Sequence, residues 1–209
     1  MPENTFSADR IFFANLKAEK ITGSFDDELK GKASFAMYEG TGAASYDIKE
    51  ISPNPPVSYS VRVTDINITP LVQDLNRDIY ISGIIDIDGK GFVNEPGPDM
   101  ELVFRSKKKR GVEQLMNFGA ISFIASFGGG NPIKAFGSSD LGYNMMAGRV
   151  TINEGYLTIE GLAGQDGHRQ FLIRGGTFGG VNLAIDKDSN TIKIQRLKNR
   201  IDEAIRRIK

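Results

Sequence analysis

The 209-residue chain has no cysteine. Disulfides, metal thiolates and a cysteine nucleophile are therefore excluded, although this absence does not choose a compartment. There is one histidine, His168, in the turn-like stretch "GQDGHRQ". A catalytic imidazole works with an orienting acid and a nucleophile. Asp166 is near in sequence, but no G-x-S-x-G or comparable nucleophile motif accompanies it, so His168 reads as an exposed turn residue and the chain as a non-enzyme. Net charge is also lacking: 26 basic residues balance 26 acidic ones. A whole-protein field that would draw in nucleic acid is thus absent. The opening "MPENTFSADR" has no basic stretch followed by an apolar core, so no signal peptide is expected. A long apolar run is missing too. The charge-free segment Gln114–Ile133 is broken by Asn117, Ser122, Ser126, Asn131 and glycines, and its compact part, Leu115–Phe127, falls short of the ~20 apolar residues of a membrane span. A buried helix is the expectation there.

Alternation of apolar and polar residues is abundant. Val57, Tyr59, Val61 and Val63 share one face in "VSYSVRVTDINI". "IYISGIIDIDGKGFV" places Ile79, Ile81 and Gly83 on one face, with Ile85 and Ile87 continuing it. "DMELVFRS" reads as a further strand, and Leu141–Met146 as a possible one. From residue 148 on, "GRVTINEGYLTIEGLAGQDGHRQFLIRGG" alternates in three pieces, Val150 with Ile152, Leu157 with Ile159, and Phe171 with Ile173. These six define a candidate apolar sheet face. "FGGVNLAIDKDSNTIKIQRL" reads as one more hairpin.

Helix signals are fewer. Thr69 suits an N-cap and Pro70 a first helical position, predicting a short helix in "TPLVQDLNRD". "GVEQLMNFGAISFIASFGGG" predicts a mid-chain helix over about 111–127, ended by glycines. At the C-terminus, Leu197, Ile201, Ala204, Ile205 and Ile208 fall at i, i+4, i+7, i+8 and i+11, the stripe of an amphipathic helix. Residues 193–209 hold seven basic and two acidic groups, so this tail carries +5 and the remainder −5. The stripe predicts a cover for a sheet face, and the cations Arg200, Arg206 and Arg207 a contact with anionic lipid. The run Lys107, Lys108, Lys109 and Arg110 precedes a predicted helix start, where the macrodipole disfavours cations. It is a second candidate for anionic head groups.

Two loops imitate calcium sites. In "DIDGKGFVNEPG", Asp86, Asp88 and Gly91 fit, but Lys90 takes a ligand position and Gly97 the place of the bidentate Glu. "DKDSNT" has Asp186, Asp188 and Asn190 but Thr191 where glycine belongs. Both read as polar hairpin turns. The glycine clusters at 128–130 and 175–180 lack the G-K-[ST] of a phosphate loop. No cofactor and no metal is expected.

Several segments, in order, resemble AsmA-like proteins. "YEGTGAASYDI" is similar to their glycine-containing strand pair, and "VRVTDINITPLVQDL" followed by "ISGIIDIDGKG" to their strand, short helix and strand. "LGYNMMAGRVTINEGYLTIEG" and "FLIRGGTFGGVNLAID" resemble the closing strands of the C-terminal region, and the basic terminal helix resembles its end. The likeness runs from Ala36 to Ile208. It implies a protein of the envelope of Gram-negative-type bacteria, periplasmic and held to the inner membrane by an N-terminal helix that this chain does not show. It also implies a long curved sheet whose concave apolar face holds acyl chains between membranes.

The combined expectation is one mainly β domain over 1–209. Residues 1–106 are mostly strands, and 107–209 add a helix, the closing strands and a terminal helix. The strands form a curved, groove-like antiparallel sheet on which the mid-chain and C-terminal helices pack. The expected function is non-catalytic lipid handling or outer-membrane assembly, with acyl chains, a membrane surface or the rest of a larger envelope protein as partners and no nucleic acid. The alternative is a purely structural module whose sheet edge pairs with another chain or with more of a longer protein.

Overall fold

A computed structural model describes residues 6–8, 11–24, 28–49, 55–75, 79–94, 97–117, 119–120, 140–162, 172–173 and 191–193. It is mainly β. The strands are β1 (Phe6–Ala8), β2 (Ile11–Ser24), β3 (Glu28–Met37), β4 (Gly40–Ile48), β5 (Val57–Asn67), β6 (Ile84–Asn94) and β7 (Gly97–Lys107). After these come β8 (Leu115–Met116), β9 (Leu141–Gly142), β10 (Met145–Asn153), β11 (Tyr156–Gly161), β12 (Leu172–Ile173) and β13 (Thr191–Lys193). The helix α1 (Ile68–Leu75) lies between β5 and β6, and residues 119–120 are also helical. The main sheet runs β1-β2-β3-β4-β5-β6-β7-β10-β11-β13, with no described strand beyond either end of this order and with β12 also paired to β10. Every pairing is antiparallel.

This meander follows from short connections. Two hairpins turn on two residues with positive φ: Tyr38 (46°) and Glu39 (67°) between β3 and β4, and Glu154 (48°) and Gly155 (76°) between β10 and β11. Such turns match the right-handed twist of the strands they join. Tyr38 and Glu39 are unusual occupants of left-handed backbone, and tertiary bonds hold them there. Tyr38 Oη donates to Asp74 Oδ2 at 2.7 Å, Asn67 Nδ2 donates to Glu39 Oε1 at 3.0 Å, and the Asn67 amide donates to the Tyr38 carbonyl at 2.9 Å.

Period-two alternation leaves one apolar face, and its core gathers at one end of the strands. Val63, Ile66, Ile68, Ile79, Ile81, Ile85, Met116, Ala120, Tyr143 and Met146 are buried together. The segment 79–83 crosses over this end. Its Ile81 bridges Met116 of β8, which pairs with β9. Ser82 ties the layers. Its amide donates to the Leu115 carbonyl at 2.8 Å, its hydroxyl donates to the Glu113 carbonyl at 3.0 Å and accepts the Leu115 amide at 3.0 Å, and its carbonyl accepts the Tyr143 phenol at 2.6 Å. Burial without these partners would cost about 1–3 kcal/mol per group. Desolvation pushes the Tyr143 phenol up to about 12, so it stays a donor.

Three sequence expectations are corrected. Thr69 is not the N-cap of α1. Asn67 is, its Oδ1 accepting the Thr69 amide at 3.2 Å, and Pro70 sits two residues further into the first turn than its expected place, where its missing N–H still costs nothing. The helix expected from residue 111 does not form over 111–117: that stretch is loop and β8, because its backbone bonds go to Ser82 and Tyr80. Asn117 Oδ1 accepts the amides of Tyr80 (3.1 Å) and Ala120 (2.8 Å). Ile79 and Ile81 do not share a strand with Ile85 and Ile87, since Gly83 at φ +134° breaks the run and leaves room for Tyr143. Within the expected range residues 119–120 are helical, whereas 118 and 121–127 lie outside the described residues, as do His168, Phe171, the "DKDSNT" loop up to Asn190 and the C-terminal stripe.

Across the centre of the apolar face, aromatic rings lie on glycines directly opposite them. Phe35 covers Gly42, Tyr46 covers Gly31, and Tyr59 covers Gly91. A side chain on any of these glycines would collide with the ring. Gly31→Ala is therefore expected to destabilise the protein by about 1–3 kcal/mol. In a Tyr46→Ala background the sign should reverse, because only the lower backbone entropy of alanine remains. Chemical denaturation of the four proteins in this cycle tests the pair; additive effects would refute the stacking.

Candidate functional site

The register builds the apolar face row by row. Starting from the sealed end, the first row is Phe35, Gly42, Val63, Ile87 and Phe104, ending at Gly148 and Gly161. The second is Ala33, Ala44, Val61, Gly89, Leu102, Val150 and Ile159. The third is Gly31, Tyr46, Tyr59, Gly91, Met100, Ile152 and Leu157. Beyond it lie Leu29, Ile48, Val57 and Val93. The face thus spans the seven central strands β3–β7, β10 and β11. The sequence-derived set Val150, Ile152, Leu157 and Ile159 lies within it as two cross-strand pairs, Val150 with Ile159 and Ile152 with Leu157. Ile173 pairs instead with Met145 at the other end of β10, through β12.

Coverage changes along the strands. Val63 is 4 % exposed and Ile66 fully buried, whereas Val93 at the far end is 41 % exposed. Among the described residues, α1, the crossing segment 79–83, β8 and β9 all pack at the Ile66 end. The outer two rows have no described element upon them. Missed by sequence reasoning were the small residues Ala33, Ala44, Gly89 and Gly91, which belong to this face by register. Only the pairing partner reveals them, since alanine and glycine give no period-two signal.

The opposite face is hydrophilic and knitted by charge. Lys90, Glu101, Arg149 and Glu160 link four adjacent strands: Lys90 Nζ is 3.3 Å from Glu101, Arg149 Nε 3.5 Å from Glu101, and Arg149 Nη1 2.6 Å from Glu160. Arg62 pairs with Asp88. Ser45 and Ser60 hydroxyls bond at 2.8 Å, as do those of Thr158 and Thr191 at 2.9 Å. A depression of about 440 Å³ lies over β3, β4 and β5, and residues of both sheet faces line it, Lys30, Lys32, Asp47 and Ser60 from the hydrophilic one and Gly31, Tyr46 and Tyr59 from the apolar one.

The basic run divides. Lys107 Nζ lies 2.7 Å from Asp86 and 3.1 Å from Asp65, pinning the bulge at which Thr64 and Asp65 together face Asp86. Lys108, Lys109 and Arg110 are exposed. Arg200, Arg206 and Arg207 lie outside the described residues. No group of His, Cys, Asp and Glu among the described residues has the geometry of a metal site. No helix among them is long and apolar enough to cross a membrane, which says nothing of strands.

Comparison with known proteins finds no matching family model, curated protein or solved structure.

The Asp86–Lys107 cluster makes a pH prediction. Partial burial works to raise the Asp86 pKa, but the Lys107 ammonium and the Asp65 amide outweigh it and hold it below its ordinary value. The hydrogen bond to Asp86 raises that of Lys107. A depressed carboxylate stabilises above its unfolded pKa and loses that effect as pH falls. A raised lysine stabilises below its unfolded pKa and loses the effect as pH rises. The cluster's contribution is therefore greatest between about pH 4 and pH 10. It is small, because solvent reaches both side chains. Thermal melts of wild type and Asp86→Asn, which retains the acceptor for the Asp65 amide, should differ most near neutrality and converge below about pH 4. A gap that does not vary with pH would contradict this.

Proposed function

We propose that this chain is a non-catalytic lipid-handling domain of the bacterial cell envelope, with acyl chains as its cargo. The observation carrying the proposal is the apolar face over seven strands, sealed at the Ile66 end and left without a described cover at the Val93 end. A face of this kind that stayed in water would be a strong aggregation surface, so it calls for an apolar occupant. The sequence likeness to AsmA-like proteins supports a curved, groove-like form of the sheet and a periplasmic setting next to the membranes. In that reading the basic terminal helix, with its stripe Leu197, Ile201, Ala204, Ile205 and Ile208, covers the part of the face that acyl chains leave free, and the rest of a larger envelope protein carries the membrane anchor.

A second reading, a structural module that pairs by its sheet edge, draws on β2. β1 pairs with Ile11–Phe13 only, and no described strand lies on the outer side of β2 from Ala14 to Ser24. The edge is poorly made for pairing, however. Register shifts fall between Ala14 and Lys17 and between Ala18 and Lys20. Bulges and lysines on an edge strand discourage further pairing. This favours the apolar face over the edge as the working surface.

The test is to extract the purified protein with organic solvent and look for co-purified lipid by mass spectrometry. Wild type should yield acyl lipid. Replacing the opposed pair Val57 and Val93 by Lys and Glu keeps a favourable cross-strand pair but makes the open end polar. This variant should melt close to wild type and lose most of its lipid. Wild type free of lipid, or a variant that keeps it all, would overturn the proposal.

A further inference from the structure

We infer that the turn following β7 is a membrane-docking element that recognises anionic phospholipid head groups at the sealed end of the sheet. The sequence shows four consecutive cations, and the structure gives them two different roles. Lys107 lies against Asp65 and Asp86 on the hydrophilic face and is neutralised there. The next three, Lys108, Lys109 and Arg110, are all exposed, and none takes part in an ion pair with another described residue. A tight turn follows at once and holds Lys109 and Arg110: the Val112 amide donates to the Lys109 carbonyl at 3.1 Å, and Gly111 takes φ +82°, a conformation that favours glycine. The three charges are thus consecutive, exposed and carried into a hydrogen-bonded turn.

Val112 supplies the second half of the argument. It stands at the same turn and is 36 % exposed, one of few large apolar side chains among the described residues left so open. Three cations around one apolar residue suit an interface in which lysine and arginine meet phosphates while the valine enters the acyl boundary. A nucleic-acid site would pair its cations with a stacking ring, and no aromatic residue lies between Lys107 and Leu115. The nearest acid, Glu113, follows Val112, and its carbonyl accepts the Ser82 hydroxyl, so the turn is braced directly against the buried cap. Docking through this turn places the sealed end at the bilayer, and the uncovered end of the apolar face then points away from it. The inference stands on the turn alone and does not depend on the apolar face binding lipid.

Sedimentation with phosphatidylcholine vesicles, with and without phosphatidylglycerol, tests it. Wild type should bind only the anionic vesicles, and high salt should weaken the binding. Replacing Lys108, Lys109 and Arg110 together by Gln should weaken it roughly a hundredfold. Val112→Ser should weaken it severalfold, and Lys90→Gln, on the hydrophilic face, should not change it. Because the turn residues are exposed, thermal melting should stay that of wild type in every variant. Equal binding to neutral vesicles would overturn the inference, as would full binding by the triple Gln variant. So would capture of single-stranded DNA, lost in that same variant, without any binding to vesicles.

Discussion

An antiparallel sheet with one apolar face has to set that face against something, and the rest of this molecule is arranged around that need. Alternation puts Val57, Tyr59, Val61 and Val63 on the same side of β5, and register extends their face to Phe35, Ile87, Phe104, Val150 and Ile159 on neighbouring strands. Full burial of such a side chain stabilises by roughly 1.5–3 kcal/mol. The sealed end collects this where Ile66, Met116 and Met146 pack without solvent.

The seal depends on satisfied backbone groups. A loop laid over a sheet brings amides and carbonyls into an apolar layer, and each needs a partner. Ser82 and Asn117 provide them, using side chain and main chain together to bind the segment 79–83 to the 113–120 stretch and to Tyr143. The same bonds place the exposed turn at Lys109–Val112, so the basic surface and the core cap are parts of one local structure. The central rows are built differently. Rings lying over opposite glycines keep Phe35, Tyr46 and Tyr59 close to the sheet, which makes the middle of the face low and smooth.

Much of the β architecture could be read from the sequence, because period two is a strong signal wherever β-branched and aromatic residues alternate. β5, β7, β10 and β11 were all expected, and Val150, Ile152, Leu157 and Ile159 share a face as anticipated. The failures share a physical cause: the deciding partner lay far away along the chain. Leu115 and Met116 look helical in an apolar run, yet Ser82, 33 residues earlier in the chain, takes the Leu115 amide and makes that stretch extended. Ile79 to Ile87 look like one strand until Gly83 breaks it at a positive φ. The four cations 107–110 look alike in sequence, and only Asp65 and Asp86 across the sheet separate the first from the others. The glycines under the rings could be seen, but their role depends on register, which no single strand encodes.

The central claim is that the apolar face is closed at one end and, among the described residues, open at the other. The absence of cysteine allows a direct test, since a single introduced thiol is the only one in the chain. Val57→Cys, Val61→Cys and Val63→Cys sample the face along β5, and Ser60→Cys samples the hydrophilic side. The rate of reaction with a water-soluble maleimide in delipidated protein should fall from position 57 to position 63 and remain high at position 60. Equal protection at positions 57 and 63 would show a face covered from end to end and would contradict the account.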